Sequence, residues 1–218
     1  MIGAVIAMES EAEILLENME IENIQTVYGK TVHFGKAFGK DVLLVICGVG
    51  KVNAAVGACA AILKGADVVL NFGVAGGLSP ERTEISEVYL IDKAVQYDFD
   101  LTQINGGEIG TLNEETENYL PLYAPAELDY SRRALASGDR FNDSPNDHKL
   151  LTELNADIRD MEGAAIAQVC KGAGIPCVSV KAISDVYGAG STTEQYGKNL
   201  RLALLNLKAF LKEILESL

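Results

Sequence analysis

The stretch Val68-Val69-Leu70-Asn71-Phe72, running into Gly73-Val74-Ala75-Gly76-Gly77, decides the fold. A short apolar run without polar alternation reads as a strand buried on both faces, the kind that parallel sheets use. Its glycine-rich end is bare backbone, which a ligand can approach closely. Ile2 to Ala7 is another such run, and Glu87 to Ala94, Arg133 to Ser137 and Pro176 to Ile183 read as further strands. Two or three strands fill residues 24 to 47. Helices are expected over about 10–19, over the alanine-rich 52–63, and over 162–173, where apolar residues recur at helical spacing. A last helix over 194–218 carries Leu200, Leu204, Leu207 and Leu211, and reads as one helix packed on a sheet rather than a coiled-coil seam. Strands alternating with helices, with no linker or repeat, predict one α/β domain over 1–218. The expected architecture is a three-layer sandwich, a central mixed sheet flanked by helices. Residues 98–128 are irregular and read as a long surface excursion of the functional kind.

Composition narrows the function. The chain has 218 residues, enough for a sizeable core, and its 48% hydrophobic content is that of a globular protein. A net charge of −13 argues against nucleic acid or an anionic membrane as partner. Four cysteines form no CxxC pair and read as buried reduced thiols. His33 and His148 lack ligand spacing, so no metal is predicted, and nothing calls for a cofactor. No apolar run approaches the ~20 residues that span a bilayer. The apolar start meets Glu9 and Glu11 at once, so it reads as a strand, and a cytoplasmic protein is expected.

Three acidic segments carry the chemistry: Met8-Glu9-Ser10-Glu11, Asp160-Met161-Glu162 and Ser184-Asp185. Taken singly, each acid has an ordinary explanation as a helix-end or turn residue. Taken together, all three fall at predicted strand ends, where open α/β sheets bind ligands. Carboxylates converging there suit proton transfer and the stabilisation of a cation. Other motifs fall short. Gly48-Val49-Gly50-Lys51 lacks the full phosphate-loop pattern, Gly73 to Gly77 is not a dinucleotide fingerprint, and no GxSxG elbow occurs.

These segments together resemble one family. The runs AMESE, GVGKVNAA, GVAGGL, SGDRF, DMEGAAIAQVC and KAISDV, in this order, are similar to the methylthioadenosine/S-adenosylhomocysteine nucleosidases of the nucleoside phosphorylase superfamily. The resemblance implies that Glu11 activates the attacking water, Glu162 binds the ribose hydroxyls and Asp185 protonates the purine at N7. It further implies that Ser184 orients Asp185, Met161 packs on the sugar and Phe141 stacks on the adenine. The backbone of Asn142 would read the adenine edge. Met8, Val49, Val74, Ala75, Gly76 and Asp160 fall at matching pocket positions, and Tyr196 is a candidate cover for the ribose. Asp185 must hold a proton for this role, and burial is expected to raise its pKa; Glu11 must be ionised.

Several positions depart from the family pattern. Val74 stands for a serine, Lys181 for an arginine and Asp160 for a glutamate. Ile104 and Asn113 match residues that close the neighbouring subunit's 5′ pocket, where the family has phenylalanine and proline; this leaves the 5′ substituent open. The first arginine is Arg82, so the phosphate-binding arginines of phosphorylases are missing near AMESE and GVGK, and water is the expected nucleophile. Lys51 is the residue that would reverse this. The expectation is a homodimeric nucleosidase for a small purine nucleoside. A purine nucleoside phosphorylase, a futalosine-type hydrolase and a non-catalytic nucleoside-binding protein are the alternatives.

Overall fold

The computed structural model describes residues 1–141 and 144–218, with residue 105 described by its backbone alone. Strand β1 (Ile2–Ile6) is buried throughout and leads to helix α1 (Glu9–Leu16). Strands β2 (Met19–Val27), β3 (Lys30–Ala37) and β4 (Lys40–Ile46) form an antiparallel meander. Its two-residue turns, Tyr28-Gly29 and Phe38-Gly39, hold both residues at positive φ, the backbone that matches strand twist in a tight hairpin. Helix α2 (Lys51–Leu63) then feeds β5 (Val68–Gly77), and β6 (Val88–Gln96) follows.

The 98–128 excursion holds only the four-residue α3 (Thr102–Asn105) and the two-residue β7 (Leu120–Pro121). Beyond it come β8 (Arg132–Ser137), α4 (Pro145–Glu153), β9 (Ile158–Asp160), α5 (Gly163–Ala173), β10 (Cys177–Val186) and α6 (Thr192–Glu216). Helix α4 was not expected from periodicity, because it is polar and buries only Asp147 and Leu151. Its sequence signal is the start: Ser144 as N-cap, accepting from Asp147 N–H, with Pro145 in the first turn.

All ten strands join one mixed sheet, with β5 at its centre. The first half of β5 lies parallel to β1, and its whole length runs parallel to β10. At Gly76 and Gly77 the edge that β1 has left is taken by β9, antiparallel. The path β5–β10–β6–β8–β9 returns to β5, so this half of the sheet closes on itself. Side-chain alternation distributes the core. Val5 and Val69 face one way and pack with Ala58 of α2 and Ile166 of α5. Ile6 and Leu70 face the other and pack with Leu15 of α1 and Leu207 and Leu211 of α6. The result is a sheet between two helical layers.

Among the expected boundaries that move, two concern the site. Strand β5 does not stop at Phe72 but carries Gly73 to Gly77 within it. Strand β10 likewise runs past Ile183, through a register shift, to pair Asp185 with Gly76 and Val186 with Gly77. Ser184 and Asp185 are therefore held by a strand and not by a turn.

Candidate active site

Glu11 sits in the first turn of α1, and its side chain folds back onto the sheet. Its Oε1 accepts from Val74 N–H at 2.8 Å and its Oε2 from Met8 N–H at 3.2 Å. Glu162 occupies the N-cap position of α5 but does not cap it. Its Oε1 instead accepts from Gly50 N–H at 2.8 Å, and its Oε2 from Met161 N–H at 3.3 Å. Gly50 adopts φ of +100°, which a side chain would strain, so the Gly-Val-Gly-Lys loop presents an amide to a carboxylate. Asp185, late in β10, takes the Ser184 hydroxyl hydrogen bond on Oδ1 at 2.7 Å. All three acids are buried.

The glycines of β5 explain how these acids come so close to the sheet. A Cβ at Gly73 would lie 2.5 Å from Glu11 Oε1, and one at Gly76 would lie 2.8 Å from Asp185 Oδ2. The bare backbone read from the sequence thus makes room for the protein's own carboxylates. Val74 and Gly76 are two residues apart, so the anchor points of the two acids are separated by roughly 7 Å along the strand.

A buried lysine lies beneath the acids. Lys181 Nζ is 2.9 Å from Asp160 Oδ2, with only 2% of the residue exposed. Asp160 also accepts from the Ser137 hydroxyl and from Gly163 N–H at 2.9 Å, so its oxygens serve the frame and the start of α5. Burial works against the charge on Lys181, but Asp160, Glu162 and Glu11 outweigh it and hold the amine above its ordinary range. Burial pushes the Glu11 carboxyl up, against Lys181 and the two amides that lower it. Burial, then Asp160, pushes Glu162 up to about 7, with Lys181 and Gly50 N–H opposing. Burial thus raises both carboxyls above the usual carboxylate range.

One cavity of ≈ 410 Å³ collects these groups. Met8 and Glu11 line it from the β1–α1 end, Val49 from the loop before α2, and Val74, Ala75 and Gly76 from β5. Asp160, Met161 and Glu162 enter between β9 and α5, and Ser184 and Asp185 from β10. Phe141 and Tyr196 also line it and meet edge to face, ring centroids 5.6 Å apart. The Tyr196 hydroxyl lies 3.6 Å from Met8 Sδ, which ties α6 to the opposite wall. Asn142 lies outside the described residues. Ile104 and Asn113 are not on this cavity; both are exposed on the excursion, Ile104 at 81%. Lys51 is also off the cavity, held by Asp98 and by Gln96 Oε1 at 3.1 Å.

Arg159 is a lining residue that the sequence reading missed. The signal was period-two alternation: in a strand ending at Asp160, Arg159 and Met161 share a face. The apolar content of Ile158-Arg159-Asp160 is too low to announce that strand.

Comparison with known proteins places these observations. The profile of the family described as the phosphorylase superfamily matches residues 1–216. An aminodeoxyfutalosine nucleosidase of Campylobacter jejuni is 35% identical, with 84% of each chain covered. A 5′-methylthioadenosine/S-adenosylhomocysteine nucleosidase of Haemophilus influenzae is 34% identical, over 100% of this chain and 99% of the other. Among solved structures, a Colwellia psychrerythraea nucleosidase of the latter type, in complex with adenine, superposes with a TM-score of 0.90 at 27% identity. It covers 100% of this chain and 95% of its own. The futalosine hydrolase of Helicobacter pylori gives 0.89 at 26% identity, covering 100% and 97%.

Proposed function

The chain belongs to the phosphorylase superfamily, and we propose that it hydrolyses the N-glycosidic bond of 5′-methylthioadenosine, S-adenosylhomocysteine or a related adenine nucleoside. The observation that carries this reading is the convergence of Glu11, Glu162 and Asp185 on one cavity. Cleaving the C1′–N9 bond leaves its electron pair on the base and an oxocarbenium-like sugar. Asp185 gives its proton to N7, so the base departs neutral. Glu162 accepts hydrogen bonds from the ribose hydroxyls. Glu11 takes a proton from water as the water oxygen bonds to C1′. The anionic Glu11 also favours the cationic sugar in the transition state.

Water as nucleophile is supported by where the cations are. Lys51 is engaged by Asp98 and Gln96 outside the cavity. Arg159, which does line it, lies beside Asp185 at the base end and not at Val74, where Glu11 is anchored. Adenine release from 5′-methylthioadenosine, followed chromatographically in phosphate-free buffer and with added phosphate, tests this. Equal rates are expected; strict phosphate dependence would make the protein a phosphorylase.

The 5′ group is the point at which similarity to the futalosine-type enzymes matters, because Ile104 and Asn113 alter the segment that closes the 5′ end in the family. A panel of adenine nucleosides carrying methylthio, homocysteinyl and futalosine-type 5′ groups ranks the substrates. We further infer a homodimer in which this segment reaches the partner's cavity. The outward face of α2 supports it, with Val52 76% and Leu63 66% exposed. Light scattering showing a monomer at micromolar concentration would remove that part. Among the described residues no helix is long and apolar enough to cross a membrane; a cytoplasmic role in methionine salvage fits the substrate proposed.

A further inference from the structure

Among the described residues lining the cavity, Arg159 alone is basic, and the register of three strands puts it against Asp185. Gly76 in β5 pairs with Arg159 of β9 on one edge and with Asp185 of β10 on the other. With no side chain at Gly76, the two flanking residues meet across it. A Cβ there would lie 3.2 Å from Arg159 Nε and 2.8 Å from Asp185 Oδ2. The guanidinium Nη2 is 3.7 Å from Asp185 Oδ2 and 3.4 Å from Thr192 Oγ1 at the start of α6. Both partners are nearly enclosed, with side chains 10% and 2% exposed, so solvent screens the pair little.

We propose that Arg159 is a positioning residue for the general acid: it favours the carboxylate form of Asp185 in the resting site, strengthens its acidity towards the purine, and thereby moves the working range to lower pH. This rests on the reading of Asp185 as the group that protonates N7. In the step itself, the Asp185 carboxyl proton passes to N7 as the C1′–N9 electron pair moves onto the base. The carboxylate so formed faces the guanidinium, which stabilises it. Protons return when Glu11, protonated by the attacking water, releases that proton to solvent and Asp185 takes one up. A cation within about 4–6 Å typically lowers a carboxyl pKa by 1–3 units, against the rise that burial brings.

The other groups facing this corner do not supply that charge. Ser184, on the same strand, gives a neutral hydrogen bond. Tyr196 of α6 has its phenol pushed up by burial, then by Glu11 and Asp185, and is uncharged. His148 of α4, stacked on Tyr187 at 3.6 Å, is pushed down by burial and then by Arg159 itself, and is neutral. Arg140 is bound to Asp147 of α4 at 2.9 Å. Glu11 adds negative charge, which opposes the effect.

Two measurements on the full-length protein test the proposal. The first is the pH dependence of kcat for adenine release by wild type, Arg159→Met and Arg159→Lys. The basic limb, where the acid loses its proton, should move up by about one pH unit or more in Arg159→Met and by much less in Arg159→Lys. The second is a carbon-13 titration of the Asp185 carboxyl in the resting protein, assigned by its loss in Asp185→Asn. The Asp185 midpoint should rise by a similar amount in Arg159→Met. A midpoint and a limb that stay put, or a Lys variant that behaves like Met, would overturn the assignment. The titration requires no turnover. Wild type without adenine release would therefore refute the nucleosidase reading alone, and an unmoved midpoint this one alone.

Discussion

Replacing Glu162 with glutamine should make the protein more stable at high pH and less active at every pH. Glu162 is 7% exposed, and burial with the neighbouring Asp160 raises its pKa from 4.5 to about 7. A group raised in the folded state binds more protons there than in the unfolded chain. Its stabilising contribution is complete below pH 4.5, is lost as pH rises towards 7, and stays lost above that. At about 1.4 kcal/mol for each pH unit between the two values, keeping the carboxylate ionised costs about 3 kcal/mol at pH 8. Glutamine avoids that cost and retains an oxygen for the Gly50 N–H. Urea unfolding followed by circular dichroism, at pH 5 and pH 8, reads the effect. Glu162→Gln should exceed wild type by up to about 3 kcal/mol at pH 8, and the gap should shrink to about 1 kcal/mol or less at pH 5. A variant less stable than wild type at pH 8, or a gap of the same size at both pH values, would refute the placement of a strained carboxylate here. In the same variant kcat/KM should fall roughly ten- to a few hundredfold, the worth of hydrogen bonds to a charged acceptor.

Asp185→Asn keeps the shape of the side chain and removes the proton donor. Adenine release should slow by about 10²- to 10⁴-fold with an unchanged circular dichroism spectrum; undiminished turnover would end the general-acid assignment. Lys181→Met should destabilise the protein by about 3–5 kcal/mol, because it leaves buried carboxylates without their cation. The loss should be larger at pH 8 than at pH 5, where those carboxyls protonate, and denaturation at the two pH values checks the order. Gly73→Ala adds a methyl where Glu11 Oε1 lies 2.5 Å away. Its kcat should drop while the far wall, probed by adenine binding in calorimetry, is little changed.

The layers and most element positions were legible because the relevant signals are local. The five-residue apolar run of β1 and the largely apolar opening of β5, Val68 to Phe72, announce themselves. The site acids were legible as segments, since each sits next to a strand. The physical use of the glycines was not, because it depends on side chains arriving from α1 and β10 and on a register that no local pattern encodes. Arg159 stayed hidden for the same reason: a three-residue strand has too few apolar positions to show alternation, and its partner lies across another strand. Helix α4 was missed because periodicity reports burial, and this helix buries little; its cap was the better guide.

The charges of the cavity suggest why its groups are arranged at a thermodynamic disadvantage. Lys181 is matched by Asp160 at 2.9 Å, and Arg159 stands against Asp185 at 3.7 Å. Glu11 and Glu162 then remain as acids in excess, both pushed up by burial. The hydroxyls of a neutral nucleoside relieve that excess only in part. An oxocarbenium-like sugar relieves it further, because positive charge develops between the two carboxylates only as the bond breaks. Under the roles proposed for Glu11 and Glu162, more of that strain would be released in the transition state than in the ground state, which is the condition for binding energy to raise kcat. On this argument Glu11 and Glu162 should tighten a cationic ribose mimic far more than the substrate. The pH at which such a mimic binds best should lie above the point at which Glu162, near 7, gives up its proton.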